Sequence, residues 1–253
     1  KKVKLHSNDL TTVTATATAT PLESEYKDLQ PSIDENLKII FIGFNPGVES
    51  SLQQHHYAHF TNLFWKLFNQ SKILLKVLLA SNVSIKDKMK EDSLLRDLII
   101  SSSNIYSTQV KAENDFDLVK YGIGFTDLIL RCTRSAQELT HLEKLENVPR
   151  LIKELSFAKP KFVVIVGKGI WEFIVLYITK ILGIKKLKLE KTIFDWGLQE
   201  NVTNESYKCV LKKLKDLCGY DCKVYVFPNT SGLVASVKFE DKLKLWNELS
   251  NEI

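Results

Sequence analysis

Leu37-Lys38-Ile39-Ile40-Phe41-Ile42-Gly43-Phe44-Asn45-Pro46-Gly47 decides how this chain is read. Leu37 to Ile42 is an almost unbroken apolar run, which fits a strand covered on both faces rather than one shared between core and water. The Gly-Phe-Asn-Pro-Gly turn then places an amide side chain where the strand ends. In open α/β sheets that carboxyl edge is where ligand sites are built. A polar, aromatic segment follows, His55-His56-Tyr57-Ala58-His59, and leads into Asn62-Leu63-Phe64-Trp65.

The same pattern recurs along the chain. Gly122-Ile123-Gly124-Phe125-Thr126-Asp127-Leu128 reads as a glycine turn entering a short strand, and Phe162 to Val166 as a buried strand stopped by Gly167. Val224 to Phe227 is the last buried strand, followed by Pro228-Asn229-Thr230-Ser231-Gly232-Leu233. A helix is expected from near Asn62, with Phe64, Trp65, Leu67 and Phe68 on its inner side. Others are expected over 148–158, with Pro149 in the first turn, and from Lys168. A final amphipathic helix carries Phe239, Leu243, Trp246 and Leu249. Residues 72–117 mix helical periodicity at Ile73, Val77 and Leu78 with a charged, serine-rich stretch, in which 101–104 reads as a loop. The lysine-rich residues 183–215 read as an insertion. Four apolar strands separated by helices predict one α/β domain with a central, mainly parallel sheet. The turns at Gly43, Gly167 and Pro228 then fall on one edge, where the first and last can face a common cleft.

Residues 1–35 read as a disordered tail, and 36–253 as the single folded domain. Thr11 to Thr20 holds only Thr and Ala with one Val, too little apolar surface to offset the cost of ordering. The whole chain is 44% hydrophobic and 26% charged over 253 residues, the balance of a globular protein with a sizeable core. No run approaches the roughly 18 apolar residues needed to span a bilayer. The N-terminal residues lack a charged-apolar-small leader pattern, so neither membrane insertion nor secretion is expected. The cysteines at 132, 209, 218 and 222 do not form a disulfide framework. Cys218-x-x-x-Cys222 lacks a second Cys or His pair at ligand spacing, so reduced thiols in a cytosolic or nuclear protein are the simpler reading. A net charge of +5, from 35 Lys and Arg against 30 Asp and Glu, is compatible with nucleic acid but too small to argue for it alone.

Asn45 is too weak a base to take a proton outright, but its carbonyl oxygen can hold and aim a water molecule. That suits the removal of a base from a sugar, where oxocarbenium character develops and positioning counts for more than nucleophile strength. The plainer reading of Asn45 is a turn residue before Pro46. Tyr57 can stack on an extruded base, worth roughly 1–3 kcal/mol, or be an ordinary half-buried tyrosine. His55, His56 and His59 lack carboxylate or Cys companions at metal-binding spacing, so loop polarity or phosphate contact is expected of them. The Pro228–Leu233 turn offers small residues and backbone N–H groups to a phosphate. Leu233 reads either as an apolar wedge filling the gap left by a flipped base, or as a core leucine.

Taken in order, GFNPG at 43–47, HHYAHFTNLFW at 55–65, YGIGFTDLILRCT at 121–133 and PNTSGL at 228–233 resemble the mismatch-specific uracil/thymine-DNA glycosylase family of the uracil-DNA glycosylase superfamily. The resemblance implies a three-layer α/β/α fold, no metal or organic cofactor, and a likeness of Asn45 to the family's water-positioning asparagine. It implies a base pocket that includes Gly43, Phe44, the stacking aromatic Tyr57, and Asn62, which otherwise reads as a helix N-cap. Asn229, Ser231, Gly232 and Leu233 resemble the DNA-penetrating loop. The partner implied is double-stranded DNA carrying a mismatched or damaged base, met by a monomer in the nucleus. Thr230 stands where the bacterial pattern has proline, and Ala235 where an intercalating arginine is often found. Two rivals are a non-catalytic reader of damaged DNA and a Rossmann-like cofactor binder, the latter opposed by the lack of Gly-x-Gly-x-x-Gly after the first strand.

Overall fold

Ile39–Gly43 forms the first strand, β1, and all five of its residues are buried. Ile40 and Ile42 enter one core while Ile39 and Phe41 enter another, because successive strand side chains point to opposite faces. The continuous apolar run is thus what a strand between two helical layers requires. The computed structural model describes residues 26–253 except 82–83, 104, 201 and 233–236. After β1 come α1 (Val48–Gln53), α2 (Phe64–Gln70), α3 (Ile73–Leu79), α4 (Ile85–Glu91), α5 (Ser93–Leu98), β2 (Ile99–Ser102), β3 (Ile105–Thr108) and β4 (Ile123–Asp127). The second half holds α6 (His141–Glu146), α7 (Val148–Ala158), β5 (Phe162–Val166), α8 (Lys168–Leu182), β6 (Gly197–Leu198), α9 (Glu205–Cys218), β7 (Lys223–Phe227) and α10 (Phe239–Glu252).

The main sheet has the order β4-β1-β5-β7-β6, with β4, β1, β5 and β7 parallel and the two-residue β6 antiparallel to β7. One face packs against α7, α8 and α9, and the other against α2, α3, α5 and α10. This is the expected three-layer α/β/α arrangement. Because the four main strands run the same way, Gly43, Asp127, Val166 and Phe227 all end at one edge.

Three sequence expectations change. Ser101 and Ser102, expected within a loop over 101–104, belong to a two-stranded antiparallel ribbon in which Ser101 pairs with Tyr106 and Ser102 with Ile105, while residue 104 lies outside the described residues. Its exposed Ile100 and Ile105 give it no apolar face to read. The stretch 183–215 is no simple insertion, since α9 buries Tyr207, Val210, Leu211, Leu214 and Cys218 against the sheet. Lysines on the opposite face hide that stripe. Order also begins before Asn36: Leu29 is buried, and Ser32 exchanges two backbone hydrogen bonds with Phe125, at 2.8 and 2.9 Å. This segment covers the free edge of β4, which would otherwise present unpaired backbone groups. Residues 1–25 of the expected tail lie outside the described residues.

Candidate active site

A cleft of about 630 Å³ opens at the carboxyl edge of the sheet. Its walls come from Gly43–Glu49 at the end of β1, Tyr57, His59, Thr61 and Asn62 before α2, Asp127 and Thr133 around the end of β4, and Asn229–Gly232 after β7. The first and last strand-end turns do face one cleft.

Asn45 is held by its nitrogen. Its Nδ2 donates to Thr133 Oγ1 at 2.8 Å, the Arg131 carbonyl at 3.2 Å and the Pro46 carbonyl at 3.3 Å. Carbonyl oxygens only accept, so this environment fixes which way round the amide sits. Among the described residues no donor reaches Oδ1, which is left for a ligand or water. The wall behind it is stiff. After β4 the chain continues alongside the turn, with Leu128, Ile129 and Thr133 N–H groups donating to the carbonyls of Gly43, Phe44 and Pro46.

Tyr57 sits in the left-handed region at φ 55°, an unfavourable conformation for a bulky residue that costs roughly 1–2 kcal/mol. That turn lays its ring parallel on Phe64, with centroids 3.9 Å apart. Phe64 in turn packs on Phe41 and Trp246, so the floor rests on the aromatic core. One face of Tyr57 is therefore taken, and a stacking base has only the other. Its hydroxyl is buried without a partner. Burial, and then the neighbouring Asp127 carboxylate, push its pKa well above the ordinary value, so it remains a donor.

Asp127 pairs in register with Gly43. A Cβ on Gly43 would lie 2.1 Å from Asp127 Oδ1 and 3.1 Å from the Tyr57 hydroxyl, so only glycine lets these two groups converge there. Burial, assisted by the charge of Glu154, raises the Asp127 pKa to about 6 against the opposing pull of His56 and Arg150. Behind this floor, Asp115 accepts from His56 Nδ1 at 2.6 Å, His56 N at 2.7 Å, His55 Nδ1 at 2.8 Å and Phe116 N at 2.7 Å. Burial works to raise its pKa, but these bonds, those of His56 foremost, hold it below the usual carboxylate range. Where loop polarity or phosphate contact was expected of them, His55 and His56 are bonded to a buried carboxylate. His59 bonds Thr61 instead, with Oγ1 2.9 Å from Nδ1.

Across the cleft, the turn after β7 is tied down at each end. Asn229 Oδ1 accepts from Ser231 N at 2.7 Å, and the Thr230 carbonyl accepts from Leu63 N at 2.9 Å. Lys242, buried in α10 where the amphipathic pattern places no charge, donates Nζ to the Asn229 carbonyl at 2.7 Å. Gly232 touches Thr61 so closely that a Cβ would fall 2.8 Å from its carbonyl oxygen.

A family model described as the uracil DNA glycosylase superfamily matches residues 30–250. The chain belongs to this superfamily. It is 29% identical over 223 residues to the G/U mismatch-specific uracil DNA glycosylase of Schizosaccharomyces pombe, an alignment covering 87% of this chain and 52% of that relative. The chain spans about half the length of the relative it matches.

The superfamily's fold brings Gly43, Phe44, Asn45, Tyr57, Asn62, Asn229, Ser231 and Gly232 to one cleft. Phe44 packs its ring edge-on against Phe173 of α8. Asn62 lines the cleft, and its Oδ1 accepts from Phe64 N at 3.0 Å just ahead of α2, whose N-cap position is held by Leu63 and not by Asn62. Leu233 and Ala235 lie outside the described residues. Thr230 is buried, its side chain directed into the body of the protein with no hydrogen-bond partner for Oγ1. Asp127 was missed as a site residue. The sequence shows it only as the polar end of a strand, and its place over Gly43 depends on pairing across 84 positions of chain. Among the described residues no helix is long and apolar enough to cross a membrane.

Proposed function

We propose that this chain is a monofunctional DNA glycosylase that removes uracil from mispairs with guanine, with thymine and damaged pyrimidines as further candidates, leaving an abasic site. The observation that carries this reading is Asn45, an amide fixed through its nitrogen with its oxygen unclaimed at the cleft. A base extruded from the duplex enters the cleft and stacks on the free face of Tyr57, as in base-flipping enzymes. The glycosidic bond breaks with its electron pair leaving on the base. The water held by Asn45 Oδ1 then bonds to the anomeric carbon and releases a proton to solvent. Asn229, Ser231 and Gly232 meet the DNA backbone, in a turn of small residues that a phosphate can approach closely.

Among the described residues lining the cleft there is no lysine, and the nearby Lys242 ammonium is committed to the Asn229 carbonyl. That supports hydrolysis without a Schiff-base step. The test is incubation with a duplex carrying one G·U pair. The expected products are free uracil and a strand that stays intact until alkali cleaves it at the abasic site. Prompt nicking without alkali would overturn the monofunctional assignment, and duplex binding without uracil release would favour a non-catalytic reader.

A further inference from the structure

Asp127 is 5% exposed, lines the cleft, and receives no hydrogen bond on its carboxylate from any described residue. Buried polar groups are almost always paired, so an unpaired carboxyl at a cleft floor is one whose partner arrives with the ligand. The groups facing it offset its charge only in part, and none of them bonds its carboxylate. From α7, Arg150 donates Nη2 to the backbone carbonyls of Asp127 and Leu128 and Nη1 to Glu154, instead of reaching the Asp127 carboxylate. From the segment before α2, His56 has its Nδ1 committed to Asp115, and Tyr57 brings a protonated hydroxyl. β1 offers only the bare backbone of Gly43. Burial therefore dominates and favours the uncharged acid.

We infer that Asp127 reads the hydrogen-bonding edge of the extruded base as a neutral acid, so that excision of uracil switches off as this carboxyl ionises. The inference rests on the glycosylase reading above. A neutral carboxyl presents one donor beside one acceptor. Uracil presents N3–H beside a carbonyl oxygen, so the two match through a pair of parallel hydrogen bonds. The ionised form has acceptors only; it satisfies N3–H and repels both flanking carbonyls. The same contrast applies to the reaction, because uracil departs with the electron pair of the broken bond. A neutral acid stabilises that developing anion, and a carboxylate opposes it.

The test is single-turnover uracil excision from a G·U duplex between pH 5.5 and 8.5, with the wild-type chain, Asp127→Asn and Asp127→Leu. The wild-type rate is expected to fall about tenfold per pH unit beyond a one-proton midpoint at or above pH 6. Asp127→Asn, which fixes the same donor and acceptor permanently, excises with no such decline and exceeds wild type at pH 8.5. Asp127→Leu, lacking both, is impaired throughout. A flat wild-type profile overturns the inference without needing any variant to fold. So does an Asn variant with the wild-type decline, or a Leu variant with the wild-type rate. A wild-type chain that binds the duplex but frees no uracil at any pH overturns the glycosylase reading itself and this inference with it; the other results leave that reading standing.

Discussion

Asp115 and Asp127 are both buried carboxylates that feel the charge of His56, yet the protein treats them in opposite ways. Asp115 accepts four hydrogen bonds, from two imidazoles and two backbone amides, and its pKa is held down. Asp127 accepts none among the described residues and its pKa is raised to about 6. The first ties the segment before α2 to the segment after β3, so that Tyr57 is held on Phe64. The second faces the cleft with its hydrogen-bonding capacity intact. A saturated carboxylate is a structural tie, and an unsaturated one beside a cavity keeps its hydrogen-bonding capacity for whatever enters.

The comparison breaks most visibly at Asp115. Asp115→Ala strands two histidine side chains and two backbone amides, that of His56 buried, and is expected to destabilise the fold by about 3–5 kcal/mol, read by chemical denaturation. Asp127→Asn should do the reverse. Removing the need to bury a charge raises stability at pH 8 by about 1–3 kcal/mol and leaves it unchanged near pH 4, where both side chains are neutral. The signs follow from the two pKa shifts. Asp127 binds its proton more tightly folded than unfolded, so its contribution falls as pH rises from about 4 to about 6 and is level above that. Asp115 binds its proton less tightly when folded, so its contribution is full above about pH 4 and is lost as pH falls through its depressed value. Thermal melts across pH 3–8 on wild type and Asp127→Asn separate the two.

Gly43→Ala sharpens the same contrast at the floor. A methyl 2.1 Å from Asp127 Oδ1 must displace the carboxyl, and uracil excision is expected to drop about tenfold or more with the fold retained, since small misplacements at a site are costly. The smallest effect is expected at Gly232→Ala, which pushes the loop off Thr61 and weakens duplex binding several-fold in an anisotropy titration. A larger loss of binding at Gly232 than of excision at Gly43 would mean that loop fit, not the floor, limits the proposed reaction.

Much of this was legible in the sequence because it is local. Doubly buried strands read as continuous apolar runs, and the Gly-Phe-Asn-Pro-Gly and Pro-Asn-Thr-Ser-Gly turns mark where β1 and β7 stop. What stayed hidden depends on distant pairing. His55 and His56 lie 60 and 59 positions from Asp115, and without it they read as loose polar residues. Asp127 acquires its meaning only from the register that sets it over Gly43. Lys242 breaks the apolar face of α10 because a carbonyl from the β7 turn is waiting for it. The helical stripe of α9 was obscured by its own lysine-rich outer face.

The most direct measurement is single-turnover release of uracil from a duplex with one G·U pair at pH 6, native chain beside Asn45→Ala. The expected result is release by the native chain and a loss of about a hundredfold or more in the variant, with duplex affinity retained. Equal rates for the two proteins would contradict the assignment of the attacking water to Asn45.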